Sequence, residues 1–412
     1  MRSAGAKAHL LDATKPDMPQ THLPVAKPFY GPEEEQAVAR VLRSGWVTQG
    51  PEVAALEREF ADYCGAKHGI AVANCTVALH LSLVAAGIGD GDEVVTVSHS
   101  FIATANAVRH AGATPVFVDI RLDDFNIDPA AIEAAITPRT KAILAGHQMG
   151  MPARIDAIRA LAGRRKLILI EDAACAVGSE VKTGEGWIRI GKPFGLAACF
   201  SFHPRKLLAT GDGGMITTDD GDFAARLRSL RQHAMSVNDR ARHQSSEVTF
   251  ESYMEVGFNH RLTDIQAAIG RCQLQRLPGM VAERRVLAGA YQQSLARIPG
   301  LIAPQDRGDT RSNWQSYCIL LPVGADQRGV MQRLLDDGIS TRRGIMCIHR
   351  EPAYANPPES DGVRFPLPLS EEAQDRGVIL PIFAGMTADQ ARWVASRIDE
   401  ALAATPGKAR AC

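Results

Sequence analysis

Short apolar runs, separated by stretches whose apolar residues recur every three to four positions, fill the first two thirds of this chain. The runs stand at 69–73, 93–97, 115–118, 142–145, 167–170, 198–202 and 215–218. They are rich in Val, Ile, Leu and Ala and predict buried β-strands. Helical patterns at 77–86, 102–111, 130–135 and 155–163 separate most of them, and an amphipathic segment at 33–43, opened by Gly31-Pro32, predicts an earlier helix. Strands alternating with helices predict an α/β domain on a mostly parallel, seven-stranded sheet covered on both faces. The last two strands are joined by residues 203–214, too few for a crossover helix, so one antiparallel neighbour is expected there.

From Asp264 the pattern turns helical, through 265–277 and, beyond Pro278, along a segment to about residue 296. A strand-like run at 317–322, a helix at 327–337 and a final helix at 389–403 predict a smaller α+β unit. The expected organisation is a loose N-terminal arm over residues 1–24, a large α/β domain over 25–278 and a small α+β domain over 279–405. The polar stretch 233–258, rich in Ser, Arg and His, predicts a long loop serving as a lid or subunit contact.

Composition narrows the partners. The 412 residues suit two domains around a shared cleft. Lys plus Arg equals Asp plus Glu at 46 each, leaving a net charge of +0 and no electrostatic footprint for nucleic acid. No stretch approaches the apolar length of a membrane span. The eight cysteines, at 64, 75, 175, 199, 272, 318, 347 and 412, form no CxxC pair and no zinc-type cluster with His. Several lie in apolar runs, which suits reduced thiols and predicts a cytoplasmic protein.

Four segments carry candidate chemistry. Ser201-Phe202-His203-Pro204-Arg205-Lys206, followed by Gly211-Asp212-Gly213-Gly214, places a lysine just past a buried strand beside glycines that let the backbone close in. This suits a Schiff-base nucleophile for an aldehyde cofactor, of which pyridoxal phosphate is the usual one, or else a surface lysine in a strand connection. Asn74-Cys75-Thr76 opens a helix, where free N–H groups and a hydroxyl make a phosphate seat or an ordinary cap. Glu171-Asp172 closes a buried strand, where a carboxylate needs a cation such as a protonated pyridine nitrogen, or caps the following segment. Phe101 follows another strand and could stack on a flat ring or belong to the core. These four parts, each after its own strand, together make up one cofactor's requirements.

With these motifs the chain resembles the DegT/DnrJ/StrS family of sugar aminotransferases, fold-type-I pyridoxal phosphate enzymes. The resemblance runs from about residue 24 to 403. It includes Gly45-Trp46-Val47-Thr48-Gln49-Gly50-Pro51, Phe101 to Asn106, Glu171-Asp172-Ala173-Ala174, Gly257-Phe258-Asn259-His260-Arg261-Leu262 and Leu380 to Thr387. It implies that Lys206 bonds the cofactor and then shuttles the proton. Asp172 would pair with the pyridine nitrogen, Phe101 would stack, and Cys75, Thr76 and Ser201 would belong to the phosphate seat. Asn259 would reach the phosphate of a partner subunit, making the active unit a homodimer with shared sites. His349, Trp46 and the Arg342-Arg343 pair would lie on the sugar side, the arginines meeting a diphosphate or solvent.

The chain departs from the family at Cys175, where many members carry a glutamine near the cofactor's phenolic oxygen, and at Cys75, Asp212 and His260. Lys206 itself favours amino transfer, because a dehydratase offshoot of the family carries histidine there. The implied reaction moves an amino group from glutamate to a nucleotide-linked 4-keto-6-deoxyhexose, as a perosamine synthase does. The lysine's pKa is expected to be lowered toward neutrality by burial and a neighbouring cation. The alternatives are a cyclitol or free keto-sugar aminotransferase using glutamine or glutamate, a pyridoxal enzyme of elimination or decarboxylation, and a non-catalytic pyridoxal phosphate-binding regulator.

Overall fold

Val94, Val95 and Val97 are sealed from solvent, as is every other residue of their strand, because β-branched side chains on both faces are covered by helices. The computed structural model describes residues 22–237, 242, 246–248, 250–355 and 366–405. The arm expected over 1–24 therefore lies, up to residue 21, outside the described residues.

The first strands are β1 (His68–Val72), β2 (Glu93–Val97), β3 (Thr114–Val118), β4 (Thr140–Gly146), β5 (Ile168–Asp172), β6 (Glu180–Thr183), β7 (Gly186–Arg189), β8 (Ala197–Ser201) and β9 (Gly214–Thr218). Seven of them form one sheet in the order β1-β9-β8-β5-β4-β2-β3. Within it β9 runs antiparallel to β1 and β8, and the remaining pairs are parallel. This is the arrangement that the short 203–214 connection requires. β6 and β7 form a separate hairpin joined by β10 (Thr310–Arg311). That hairpin was not visible as a pattern, since each of its strands is four residues long and half-exposed.

The helices of this part are α1 (Pro32–Ser44), α2 (Pro51–Cys64), α3 (Cys75–Ala85), α4 (Ala103–His110), α5 (Pro129–Ala135), α6 (Ile155–Arg165) and α7 (Gly221–Leu230). Then α8 (Asp264–Leu295) runs unbroken through Pro278, where the sequence pattern suggested an interruption. Packing outweighs the missing N–H: Leu274, Leu277 and Val281 lie in the core under the sheet, and Leu287, Tyr291 and Leu295 lie in a second core. The change of core falls inside the helix, between Val281 and Leu287.

The second core belongs to an antiparallel sheet of β11 (Tyr317–Leu320), β12 (Arg342–Arg343) and β13 (Gly377–Leu380), with β13 in the middle. Around it lie α9 (Gln327–Asp336), α11 (Pro368–Arg376) and α12 (Ala388–Ala404), while the short α10 (Pro352–Ala355) packs through Tyr354 against Phe117 of β3 and Asn106 of α4. Tyr291 and Tyr317 stack at 4.8 Å between ring centres and anchor α8 to this sheet.

Candidate active site

The carboxyl ends of the parallel strands and the start of β9 meet along one edge of the large sheet. Register fixes this: Val72 of β1 and Ser201 of β8 both face Gly214 of β9, and Gly146 of β4 faces Asp172 of β5. Over this edge opens a cleft of about 1290 Å³. Open α/β sheets bind their ligands at such an edge.

One wall is the N-terminus of α3. Asn74 caps it, its Oδ1 accepting from Val77 N at 3.0 Å, so Cys75 and Thr76 begin the helix with backbone N–H groups free for an anion. Gly214 permits the close approach of β9 here. A β-carbon on it would stand 2.7 Å from the Asn74 carbonyl oxygen and 3.0 Å from Cys75 N. Its neighbour Gly213 is equally confined, 2.5 Å from Thr210 Oγ1. The glycines noticed beside the lysine are therefore there for steric reasons, while Gly211, at φ +91°, turns the chain between β8 and β9.

Lys206 reaches into the cleft from the turn after β8, and its Nζ lies 2.9 Å from Cys175 Sγ. Burial acts to lower the lysine's pKa, but the hydrogen bond to Cys175 and the acidic groups Cys175, Cys75 and Asp172 around it outweigh this and hold it above its ordinary value. This reverses the lowering expected from sequence, because the charges facing Lys206 are acidic groups rather than a cation.

Asp172 closes β5. Its Oδ2 accepts from Thr104 Oγ1 at 2.9 Å and its Oδ1 from Ala174 N at 3.2 Å. Next to it, Glu171 points to the opposite face, fully buried, with Oε2 on His147 Nε2 at 3.1 Å and Oε1 accepting from Phe194 N at 2.7 Å. His147 Nδ1 accepts from Ala153 N, so its Nε2 donates to Glu171, and its backbone N–H donates to the Asp172 carbonyl. The Glu171–His147 pair thus braces the strand end and leaves Asp172 as the carboxylate facing the cleft. Thr104 was not singled out by sequence reasoning. Its signal was its place three residues after Phe101, on the same face of the helix start.

Phe101 lines the cleft with 61% of its surface exposed, as a side chain held for a ligand would be. Cys75, Thr76, Asp172, Cys175, Ser201, Lys206, Arg342 and Arg343 line the same cleft, so the structure brings together nine of the residues expected at the site. Both arginines are exposed, and Arg343 also pairs with Glu351 at 3.6 Å. An aromatic wall of His80, His110, Phe258 and His260 was missed, apart from His260 being noted as a departure; Phe258 and His260 stack at 4.9 Å. Gln315 also enters the cleft, donating to the Arg205 carbonyl at 3.0 Å.

Three expected residues do not line this chain's cleft. Trp46 donates through Nε1 to the Gln49 carbonyl and lies over Gly50, at the start of α2. Asn259 is exposed, its Oδ1 accepting from Arg261. His349 is occupied at both nitrogens, with Nδ1 2.6 Å from Ser98 Oγ and Nε2 3.1 Å from Glu371. It fastens the 347–349 segment to the end of β2 instead of facing the sugar side.

A lysine amine, a carboxylate at a strand end, a free helix N-terminus and an exposed aromatic within one cleft match a flat, phosphorylated, cationic ring. Comparison with known proteins decides the family: the model of the DegT/DnrJ/EryC1/StrS aminotransferase family matches residues 29–399. The chain belongs to that family. It is 40% identical to the spore coat polysaccharide biosynthesis protein SpsC of Bacillus subtilis (strain 168), over 89% of this chain and 94% of SpsC. Among solved structures, DesV of S. venezuelae in complex with a ketimine intermediate is 36% identical with a TM-score of 0.81, covering 92% of this chain and 98% of DesV. DesI, solved in the presence of its TDP-sugar product, is 30% identical with a TM-score of 0.81, covering 92% of this chain and 93% of DesI. The protein is accordingly an aminotransferase of fold-type-I architecture that uses pyridoxal phosphate, and the residues of the cleft fit that cofactor.

Proposed function

We propose that this aminotransferase moves an amino group from glutamate to the ketone of a nucleotide-linked sugar, a 4-keto-6-deoxyhexose, in amino-sugar and polysaccharide biosynthesis. The observation that carries the reading is the placement of Lys206 and Asp172 in one cleft with Arg342 and Arg343 on its other wall. Arginine forks suit the oxygens of a diphosphate. DesI, with its TDP-sugar product, and SpsC, named for polysaccharide biosynthesis, support the same class of acceptor.

Pyridoxal phosphate supplies the electron sink for charge that develops on the carbon bearing nitrogen. The chain's residues do the rest. Asp172, held by Thr104 and Ala174 N–H, is the anion for the ring nitrogen. Thr76, Ser201 and the α3 N-terminus would hold the phosphate. Phe101 would cover one side of the ring, and Cys175 stands beside Lys206. Lys206 Nζ, as the neutral amine, would take a proton from the donor carbon and, in the second half of the cycle, give one to the acceptor carbon, acting as general base and then acid.

The active unit of this proposal is a homodimer with Asn259 reaching the partner's phosphate. Its support is that Asn259 is exposed and does not line the cleft of its own chain, and that it follows in sequence an apolar strip. In that strip Val248, Phe250, Met254 and Val256 are 82–89% exposed. The seven described cysteines are all free, which supports a cytoplasmic setting. The test is Lys206→Ala assayed with glutamate and a panel of nucleotide-linked keto-sugars. Wild type should aminate at least one sugar, and the variant should lose turnover by several orders of magnitude. Turnover retained by the variant would overturn the role given to Lys206.

A further inference from the structure

Cys75 and Cys175 both face the lysine, Cys199 lies beside Cys75, and the three thiols differ in kind. Cys75 and Cys199 are buried, and burial pushes both thiols far above their ordinary pKa. Cys175 is half-exposed, lines the open cleft, and lies 2.9 Å from Lys206 Nζ. A sulfur that is reachable from solvent and sits beside an ammonium is the kind that peroxides oxidise first. Backbone geometry holds the pair together: Asn313 Nδ2 donates to the Cys175 carbonyl at 2.9 Å, and Lys206 N–H donates to the His203 carbonyl at 2.8 Å.

We propose that Cys175 and Lys206 form a modification site, joined by a sulfur–nitrogen bond when a hydroperoxide enters the cleft and separated again by a thiol. This goes beyond amino transfer and is independent of which sugar is the acceptor. In the first step the Cys175 sulfur attacks a peroxide oxygen. The S–O bond forms as the O–O bond breaks, hydroxide leaves, and the sulfur is oxidised to a sulfenic acid while the peroxide is reduced. In the second step the lone pair of Lys206 Nζ attacks that sulfur. The S–N bond forms, the S–O bond breaks, and the departing hydroxide takes a proton from the amine to leave as water. No second oxidant is needed.

The two steps are linked electrostatically. Lys206 is held above its ordinary value against burial by its hydrogen bond to Cys175 Sγ, with Asp172 also facing it. Oxidation of that sulfur removes this acceptor, so burial weighs more heavily toward the neutral, nucleophilic amine. Reversal also balances. An external thiol attacks the sulfur, the S–N bond breaks with a proton going to nitrogen, and a second thiol clears the mixed disulfide. While the bond stands, the lysine is withheld from the cofactor.

The test treats purified holoenzyme with hydrogen peroxide in the presence of glutamate, which frees Lys206 from the cofactor, beside a glutamate-free control in which the lysine is occupied and the product should be scarce. Free thiols are then blocked by alkylation and the protein is digested with trypsin. The expected product joins residues 167–182, which contain Cys175, to residues 206–226, uncut after Lys206. It is lighter by two hydrogen atoms than the separate peptides and is released by dithiothreitol. Cys175→Ser and Lys206→Arg should each abolish it, whereas Cys75→Ser should retain it. Recovery of Cys175 as a sulfinic acid, or in a disulfide with Cys75 that joins residues 167–182 to 68–109, with normal cleavage after Lys206, would overturn the proposal.

Discussion

Thr104 Oγ1 donates to Asp172 Oδ2 across 2.9 Å, tying the first turn of α4 to the end of β5. Ser100 Oγ lies 2.8 Å from the same threonine oxygen and, with the threonine proton already committed, donates to it. Two hydroxyls from the segment that carries Phe101 therefore fix the orientation of the carboxylate proposed for the cofactor's ring nitrogen.

Thr104→Val removes that bond at nearly constant volume. A hydrogen bond to a charged group contributes about 1.5–3 kcal/mol, so the dissociation constant for pyridoxal phosphate should rise tenfold or more. Thr104→Ser should restore most of the affinity. Titration of the cofactor's visible absorbance into apoenzyme reads the effect, and an unchanged constant in the valine variant would remove Thr104 from the site.

Gly214→Ala tests the steric reading of the glycine pair. The new β-carbon would fall 2.7 Å from both the carbonyl carbon and the oxygen of Asn74, so β9 or the start of α3 must move. Overpacking of this kind costs about 1–3 kcal/mol. The expected outcome is a lowered melting temperature with weaker cofactor binding, because the displaced backbone is the proposed phosphate seat. Gly211→Ala is strained by its positive φ but meets no atom within 4 Å, so it should disturb the cofactor less.

Much of this site was legible because the residues that carry it lie at strand ends, and the strands announce themselves as unbroken apolar runs. Asp172 and Lys206 could be placed from Leu167-Ile168-Leu169-Ile170 and from the run ending at Phe202. What escaped depended on tertiary packing. Thr104 gains its role from a carboxylate 68 positions away. α2 shows helical spacing in Val53, Leu56, Phe60 and Cys64, yet its start coincides with the Gly50-Pro51 motif, which reads as loop. The interruption expected at Pro278 failed because two cores hold the halves of α8 together. His349 was placed by resemblance toward the sugar, where its local partners Ser98 and Glu371 were invisible.

His99 predicts an acid sensitivity. It is fully buried, lies 5.9 Å from the Phe125 ring, and has no hydrogen-bond partner at either nitrogen among the described residues. Burial, opposed by Asp119, pulls its pKa down to about 3. The unfolded chain binds a proton there below pH ~6.5, while the folded chain does so only near 3. Between these values the unfolded state holds more protons, so stability falls as pH falls, by about 1.4 kcal/mol per unit for one such group. His99→Leu, of similar volume, should fold at pH 7 and show a shallower loss of unfolding free energy between pH 6.5 and 4. An identical slope in denaturant titrations would refute the assignment.

Arg307 provides the last prediction, for the junction between the two cores. Its Nη1 lies 2.5 Å from Asp124 Oδ2 and its Nη2 donates to the Pro152 carbonyl at 3.1 Å. This joins the segment before β10 to the loop after β3. Burial pushes the Asp124 pKa up to about 6, against the pull of the Asn126 amide and Arg307. Above that pH the carboxylate is charged and depends on the arginine. Arg307→Ala would take from a buried anion its nearest cation, leaving only Arg154 Nε at 3.8 Å, and should cost up to about 3–5 kcal/mol. Asp124→Asn together with Arg307→Ala removes the charge as well and should recover part of that loss. The double-mutant cycle, measured by chemical denaturation at pH 8, should show a coupling of more than about 1 kcal/mol. Below pH 5, where Asp124 is protonated without its partner, the single Arg307→Ala variant should approach the stability of the double variant.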